Sequence, residues 1–176
     1  MKTKPTKIKA TAASGQKLTP CLWYDDNAEE AVAFYRSIFK KSKVLNVSHY
    51  TEAGHGKPGS VLTIKFRLEG QDFIALNGGP HFKFTPAISF SIDCGTQAEV
   101  DYYWDKLLVG GQAQQCGWLS DKFGLCWQVV PRQLSKLILS KDKEKANRVM
   151  SAMLKMVKLD IATLEAAAKA KKTVKK

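Results

Sequence analysis

The sequence has few histidines, no cysteine pair at metal-binding spacing and no long hydrophobic run. It contains three histidines and four cysteines in 176 residues. Cys21, Cys94, Cys116 and Cys126 form no CxxC motif, so the sequence indicates neither a zinc site nor a disulfide framework, and we expect free thiols in a reducing cytoplasm. No run approaches the roughly 18 apolar residues needed to span a bilayer, which argues against a membrane protein.

Motifs for nucleophilic catalysis and for common cofactors are also missing. There is no GxSxG elbow, and no cysteine has a histidine signature beside it. Asp25-Asp26-Asn27 follows a predicted strand but supplies no glycine turn, so the S-adenosylmethionine site of a methyltransferase is not indicated. No predicted helix follows Gly78-Gly79, which excludes a phosphate-binding loop there. The sequence motifs therefore identify no catalytic residue.

Positive charge is concentrated at the two ends of the chain. The formal net charge is +12, but residues 1–17 and 166–176 together carry ten lysines and no acid, which leaves +2 for residues 18–165. We therefore predict solvated basic ends whose contacts with nucleic acid are non-specific and sensitive to salt. Nucleic-acid binding by the central part of the chain is not expected.

A tandem repeat organises that central part. The pattern of residues 19–39 recurs at residues 87–107, an offset of 68 positions. Each copy reads as a strand, a polar turn and an amphipathic helix, with helices predicted at 28–39 and 96–108. Thr96 is the predicted N-cap of the second helix, and Asp25-Asp26-Asn27 is the predicted turn and cap of the first.

Further strands and helices complete each copy. Alternating segments predict strands at 43–51, 60–68 and 71–76, so the first module reads β-α-β-β-β. Strands at 112–118 and 126–130 follow the second helix. Residues 133–139, 142–157 and 160–170 are helical by composition. The middle segment carries an apolar stripe that is typical of a core or a dimer contact, made of Ala146, Val149, Met150, Met153, Leu154 and Val157.

Four separated motifs carry a family resemblance: LWYDDNAEEAVAFY, ALNGGPHFKF, FGLCWQVVP and KANRVMSAMLKMVKLDIATLEAA. Together with the repeat, they closely resemble the PhnB-like branch of the vicinal-oxygen-chelate (glyoxalase/bleomycin-resistance/dioxygenase) superfamily, over roughly residues 18–168. Members of this branch are often named 3-demethylubiquinone-9 3-methyltransferase-like. The resemblance also implies a homodimer.

The expected fold is α+β, with two tandem β-α-β-β-β modules forming a vicinal-oxygen-chelate (glyoxalase-like) domain and a C-terminal helical extension. We predict a disordered basic arm at 1–17, the domain at 18–131, the extension at 132–168 and a basic tail at 169–176. The modules span 18–78 and 86–131. Their concave sheet faces are expected to enclose a ligand cleft.

Catalytic members of the superfamily hold a divalent ion between the modules with His, Gln or Glu side chains. By the resemblance, the first-strand positions fall on Thr19 or Pro20 and on Ala87 or its neighbours Pro86 and Ile88. The last-strand positions fall near Ile74 and on Gln128. Of these residues, Gln128 alone offers a side-chain oxygen, and one neutral amide does not retain a divalent ion. We expect no metal and no cofactor.

Strand parity and the NGGPHF turn select the residues that should line the cleft. The candidate ligand-binding residues are Cys21, Trp23, Asn77, His81, Phe82, Ser89, Ser91 and Gln128. The opposite strand faces should pack on helices, through Leu22, Tyr24, Ile88, Phe90 and Ile92. Cys126 would also face the cleft by parity, although a buried, inert thiol is the simpler interpretation. We expect His49 to be structural and His55 to be solvated.

The leading hypothesis is a cytoplasmic, homodimeric protein that binds a small, planar or uncharged molecule without a metal. One alternative is a metal-dependent glyoxalase- or dioxygenase-type enzyme of the same superfamily. Another is the methyltransferase that the family label suggests, which the missing cofactor motif disfavours. A third is an interaction protein that acts through its helical tail.

Overall fold

The computed structural model describes residues 16–170 of the chain. The chain divides into two compact units, with the boundary between Phe82 and Lys83. Most of the predicted basic arm and most of the predicted basic tail lie outside the described residues. Within the described part, no helix combines the length and apolarity needed to cross a bilayer.

The first unit is a four-stranded sheet with one helix. Its elements are β1 Cys21–Tyr24, α1 Ala28–Ile38, β2 Ser42–His49, β3 Val61–Leu68 and β4 Gln71–Asn77. The strand order is β1-β4-β3-β2, with β1 parallel to β4 and the other pairs antiparallel. The predicted β-α-β-β-β module is confirmed.

The core of the first unit lies between α1 and one face of this sheet. Alternate side chains of β3 are buried, including Ile64 and Phe66, because successive residues of a strand point to opposite faces. From the helix, Val32 and Tyr35 are buried against them. Leu22 and Tyr24 lie in the same core, as strand parity predicted.

The second unit repeats this architecture. Its first elements are β5 Ser89–Cys94, α2 Gln97–Leu107, β6 Gln112–Ala113, β7 Trp118–Ser120 and β8 Cys126–Pro131. The strand order is β5-β8-β7-β6, with β5 parallel to β8. Thr96 is the N-cap of α2, as predicted, and its hydroxyl accepts a hydrogen bond from the Glu99 N–H at 3.2 Å.

The single strand predicted at 112–118 is wrong. Two short strands, β6 and β7, replace it because Cys116 and Gly117 have left-handed backbone conformations, with φ of 61° and 82°. Their N–H groups donate to the carbonyls of Met156 and Val157, at 2.8 and 2.7 Å, and not to a strand ladder. The loop between β6 and β7 is therefore anchored on the C-terminal extension.

The extension contains three helices: α3 Arg132–Ile138, α4 Lys143–Met153 and α5 Ile161–Lys169. The helix predicted over 142–157 ends early, so Leu154 and Val157 lie beyond it with 59% and 42% of their surface exposed. The core interpretation of the stripe is therefore wrong for these two residues, and the dimer contact stays a prediction. Val149, from the same stripe, is fully buried.

A small hydrophobic core joins the extension to the second unit. It consists of Leu134, Val149, Leu159, Leu164 and Ala168, with Val130 of β8 packed against it. The Gln97 amide of α2 binds this segment twice, donating to the Leu159 carbonyl and accepting from the Ile161 N–H. The extension is therefore packed into the second unit and does not stand apart as an appendage.

Candidate functional site

The carboxyl ends of β1 and β4 lie side by side because the two strands run parallel, with Tyr24 in register with Asn77. The turn that follows β4 folds over Trp23 of β1, whose indole Nε1–H donates to the Gly79 carbonyl at 2.8 Å. A Cβ on Gly78 would lie 2.3 Å from an atom of the indole ring, so glycine is required for this close approach. Phe82 completes the arrangement, with its ring edge-on to Trp23 at 4.9 Å.

Tyr50, the residue that follows β2, supports the same edge of the sheet. Its hydroxyl donates to the Asn77 carbonyl at 2.5 Å. A Cβ on either Gly54 or Gly56 would overlap the Tyr50 ring, at 2.6 and 2.4 Å, so the glycines of the loop after β2 allow the chain to wrap around that ring. The aromatic side chains and their glycine contacts thus shape a hollow at the sheet edge.

Two hollows open here, and we call them together the recess. The acidic hollow has a volume of about 510 Å³ and the aromatic hollow about 430 Å³. Four residues line both of them, Tyr50, His55, Gly78 and His81. The other principal lining residues are Asp25, Asp26, Glu29 and Lys57 in the acidic hollow, and Trp23, His49, Leu62 and Leu76 in the aromatic hollow.

All three histidines of the chain line the aromatic hollow. The sequence singled out His81 and treated His49 as structural and His55 as solvated. The structure gathers them because the loop after β2 returns His55 towards the turn that carries His81. The glycines around His55 were the available signal, since they permit the loop to fold tightly against Tyr50.

Asn77 lines the acidic hollow, but its side chain is committed to the fold. It is 7% exposed. Its side-chain oxygen Oδ1 accepts from the Ala28 N–H at 2.8 Å, and its side-chain nitrogen Nδ2 donates to Glu29 Oε2 at 2.7 Å and to the Val61 carbonyl at 3.0 Å. Asn77 thereby caps α1, the role that the sequence gave to Asp25-Asp26-Asn27 and that the Asn27 side chain does not fill.

The candidates in the second unit lie on β5 and β8. Gln128 Nε2 donates to Ser89 Oγ at 2.8 Å, while Ser91 is the exposed register partner of Gln128. Ile88 precedes β5 and is 72% exposed, so its predicted packing on a helix is wrong. Trp127 is a core residue, and its Nε1–H donates to Asp121 Oδ2 at 2.8 Å.

The four cysteines are free thiols. Desolvation raises the pKa of Cys21, although Cys21 is exposed at the sheet surface. Burial, with the negative charges of Glu99 and Asp93, raises the pKa of Cys94 to about 12. Cys126 is buried, as the simpler interpretation of this thiol predicted, and burial with the Asp121 charge raises its pKa. None of these three thiols has the lowered pKa of an activated nucleophile.

This chain lacks the side chains that hold the divalent ion in catalytic members of the superfamily. In the first unit the relevant positions carry Pro20 and Ile74, joined by a backbone hydrogen bond of 2.9 Å and without donor side chains. In the second unit the Gln128 amide is bound to Ser89. Among residues 16–170, no three His, Cys, Asp or Glu side chains converge in a way that could hold a metal ion.

Comparison with known proteins finds relatives for about two thirds of the chain. A family model described as 3-demethylubiquinone-9 3-methyltransferase matches residues 16–130. A PhnB protein from Bacillus cereus, of known structure, is 37% identical, and the match covers 66% of this chain and 99% of that chain with a TM-score of 0.60. Among functionally curated proteins, none matches the chain.

A second solved structure shows the fold alone. Protein PA1353 from Pseudomonas aeruginosa is 17% identical, with 66% of this chain and 97% of that chain covered and a TM-score of 0.55. The family match ends at residue 130, before the helical extension begins. The motifs, the duplicated module and these matches agree: the chain belongs to the 3-demethylubiquinone-9 3-methyltransferase-like family, the PhnB-like branch of the vicinal-oxygen-chelate superfamily.

Proposed function

We propose that this chain binds a small molecule without a metal, and that the recess of the first unit forms its binding site. Each hollow has a volume within the roughly 300–1,000 Å³ range of ligand pockets. The observation that carries the proposal is the convergence of Trp23, Tyr50 and all three histidines on one hollow. Such a wall combines apolar rings with a few polar atoms, which is the usual composition of a ligand site.

The candidates in the second unit form the alternative location for the ligand. Gln128, Ser89 and Ser91 form a neutral, hydrogen-bonding strand surface, and Cys21 is exposed on β1 of the first unit. The cleft predicted between the modules, the homodimer and the cytoplasmic location stay sequence-based predictions. A separate interaction role for the tail is less well supported, since Leu159 and Leu164 of the extension serve the core of the second unit.

Methyl transfer is not favoured, despite the family description. The first helix of each unit follows a turn without the glycine-rich loop that binds a nucleotide cofactor. The N-terminal amide of α1 at Ala28 is already occupied by the Asn77 side chain. The proposal therefore includes no S-adenosylmethionine site.

The first test concerns the metal. We expect purified protein to contain no stoichiometric divalent ion, and its thermal unfolding midpoint to be the same with chelator and with added Mn²⁺, Ni²⁺ or Zn²⁺, because no set of metal-ligating side chains converges within residues 16–170. Elemental analysis and thermal shift measure both. One tightly held ion per chain would favour the metal-dependent alternative.

The second test concerns the recess. Ligands found by a thermal-shift screen of small molecules should bind at least about tenfold more weakly to the His55→Ala/His81→Ala double variant, since the loss of two contacting side chains costs about 1.4 kcal/mol or more. Both side chains are exposed, so the fold should be retained.

The control for this test is Ser91→Ala/Gln128→Ala on the second unit. Calorimetric titration of the same ligands then locates the site. Ligands that lose affinity in the control but not in the histidine variant would remove the recess from the proposal and leave the second-unit strand surface as the site.

A further inference from the structure

We propose that the recess selects an organic cation, an amine or quaternary ammonium carried on an aromatic or similarly flat apolar body. This inference rests on the proposed function and names the chemical class of its ligand. It follows from the unequal charge and polarity of the two hollows that share Tyr50, His55, Gly78 and His81.

The acidic hollow supplies the charge. Asp25, Asp26 and Glu29 line it against one lysine, Lys57. Glu29 is held in place by its hydrogen bond from the Asn77 amide. Within residues 16–170 the carboxylates of Asp25 and Asp26 form no hydrogen bond or ion pair, so both are available to a ligand. An ammonium group gains attraction here, whereas a ligand carboxylate or phosphate meets repulsion.

The aromatic hollow supplies the surface for the ligand body. The polar atoms of its two large rings are already satisfied inside the protein, Trp23 Nε1–H by the Gly79 carbonyl and the Tyr50 hydroxyl by the Asn77 carbonyl. The N–H and O–H hydrogens of the two rings are therefore not free for a ligand, and the rings offer it mainly contact area. Leu62 and Leu76 extend the apolar wall. A flat ring packs well on such a surface, and an adjacent positive charge gains from the faces of Trp and Tyr.

The shared lining lets one ligand use both hollows. Because Tyr50 and His81 border each of them, a molecule whose body lies in the aromatic hollow can direct its charged end to Asp25 and Asp26. The positive charge of Lys57 repels a cationic ligand, but three carboxylates, Asp25, Asp26 and Glu29, line the same hollow and outnumber it. The recess is thus suited to a ligand with an apolar body and a cationic end.

Three probes that share one ring and differ in charge test this: 1-naphthylmethylamine, 1-naphthylmethanol and 1-naphthoate. In calorimetric titrations of the full chain at neutral pH, the amine should bind about tenfold more tightly than the naphthoate, through one ion pair and one cation–π contact. The Asp25→Asn/Asp26→Asn variant should lose this preference and keep its affinity for naphthylmethanol.

The matched control is Asp105→Asn/Glu165→Gln, which removes two acids of the second unit whose side chains are 68% and 45% exposed. This control should keep the preference for the amine. Equal binding of all three probes, tighter binding of the naphthoate, or an amine preference that survives in the Asp25/Asp26 variant would overturn the cation class and leave small-molecule binding intact. Failure of all three probes to bind also overturns the class, and the histidine variants then decide separately whether the recess binds anything.

Discussion

Leu159→Ala is expected to lower the free energy of unfolding of the second unit by about 4 kcal/mol, in the upper part of the range for leucine truncation in a core. Leu159 is fully buried in the cluster that joins the extension to the second unit. Its side chain also lies against Gly117, where even an added Cβ would come within 2.9 Å of it. Truncation leaves a cavity at this junction, and urea unfolding followed by tryptophan fluorescence and circular dichroism measures the cost.

Leu154→Ala is the control for this prediction. It is the same substitution in the same extension, but the side chain is 59% exposed, so the expected cost is below about 0.5 kcal/mol. If the two variants were equally stable, the extension would not form a core with the second unit. Its helices would then have to be regarded as an appendage, and the interaction hypothesis for the tail would gain ground.

Asn77→Ala is expected to destabilise the first unit by about 3 kcal/mol. The substitution removes three hydrogen bonds and leaves the Ala28 N–H and the Val61 carbonyl without their side-chain partner. A buried polar group that loses its partner costs about 1–3 kcal/mol, and loss of a helix cap is typically about 1 kcal/mol of that kind. Denaturant unfolding of the variant measures the effect.

Asn46→Ala is the matched control, since Asn46 is exposed on β2 and should tolerate the change within about 0.5 kcal/mol. A cost for Asn77→Ala as small as that of the control would contradict the capping role. It would also return Asn77 to the set of residues free to contact a ligand, the role that the sequence first suggested for it.

The sequence revealed the fold well because the duplicated pattern is local. Hydrophobic periodicity and capping residues lie within each element, so helices and strands of both modules could be predicted from neighbouring residues. The strand predicted at 112–118 failed for a non-local reason. Gly117 turns the chain so that its N–H meets Val157, a partner 40 positions away that no local pattern indicates.

The site was harder to predict for the same reason. Trp23, His81 and Phe82 could be chosen as candidates because they lie on strand β1 and on the turn after β4, whose pairing the repeat implied. His49 and His55 were not among the candidates, because their place at the hollow depends on how the loop after β2 packs on Tyr50. The cap from Asn77 to Ala28 joins residues 49 positions apart. No short-range pattern could have shown it.

The acidic turn after β1 has a different role in the structure from the one that the sequence predicted. Asp25-Asp26-Asn27 was interpreted as a turn and a helix cap. Since Asn77 supplies the cap, the carboxylates of Asp25 and Asp26 are left to line the acidic hollow. The two acids that follow β1 therefore give the recess its charge.

The most direct test of the central claim is a nitrogen–proton NMR spectrum of the tryptophan indoles while a screened ligand is added. Trp23 lines the recess, whereas the Trp127 indole is buried and bound to Asp121 in the second unit, so the protein carries its own control. We predict that saturating ligand shifts the Trp23 indole resonance and leaves that of Trp127 in place. Ligands that bind without moving the Trp23 resonance would contradict the claim that the recess is the binding site.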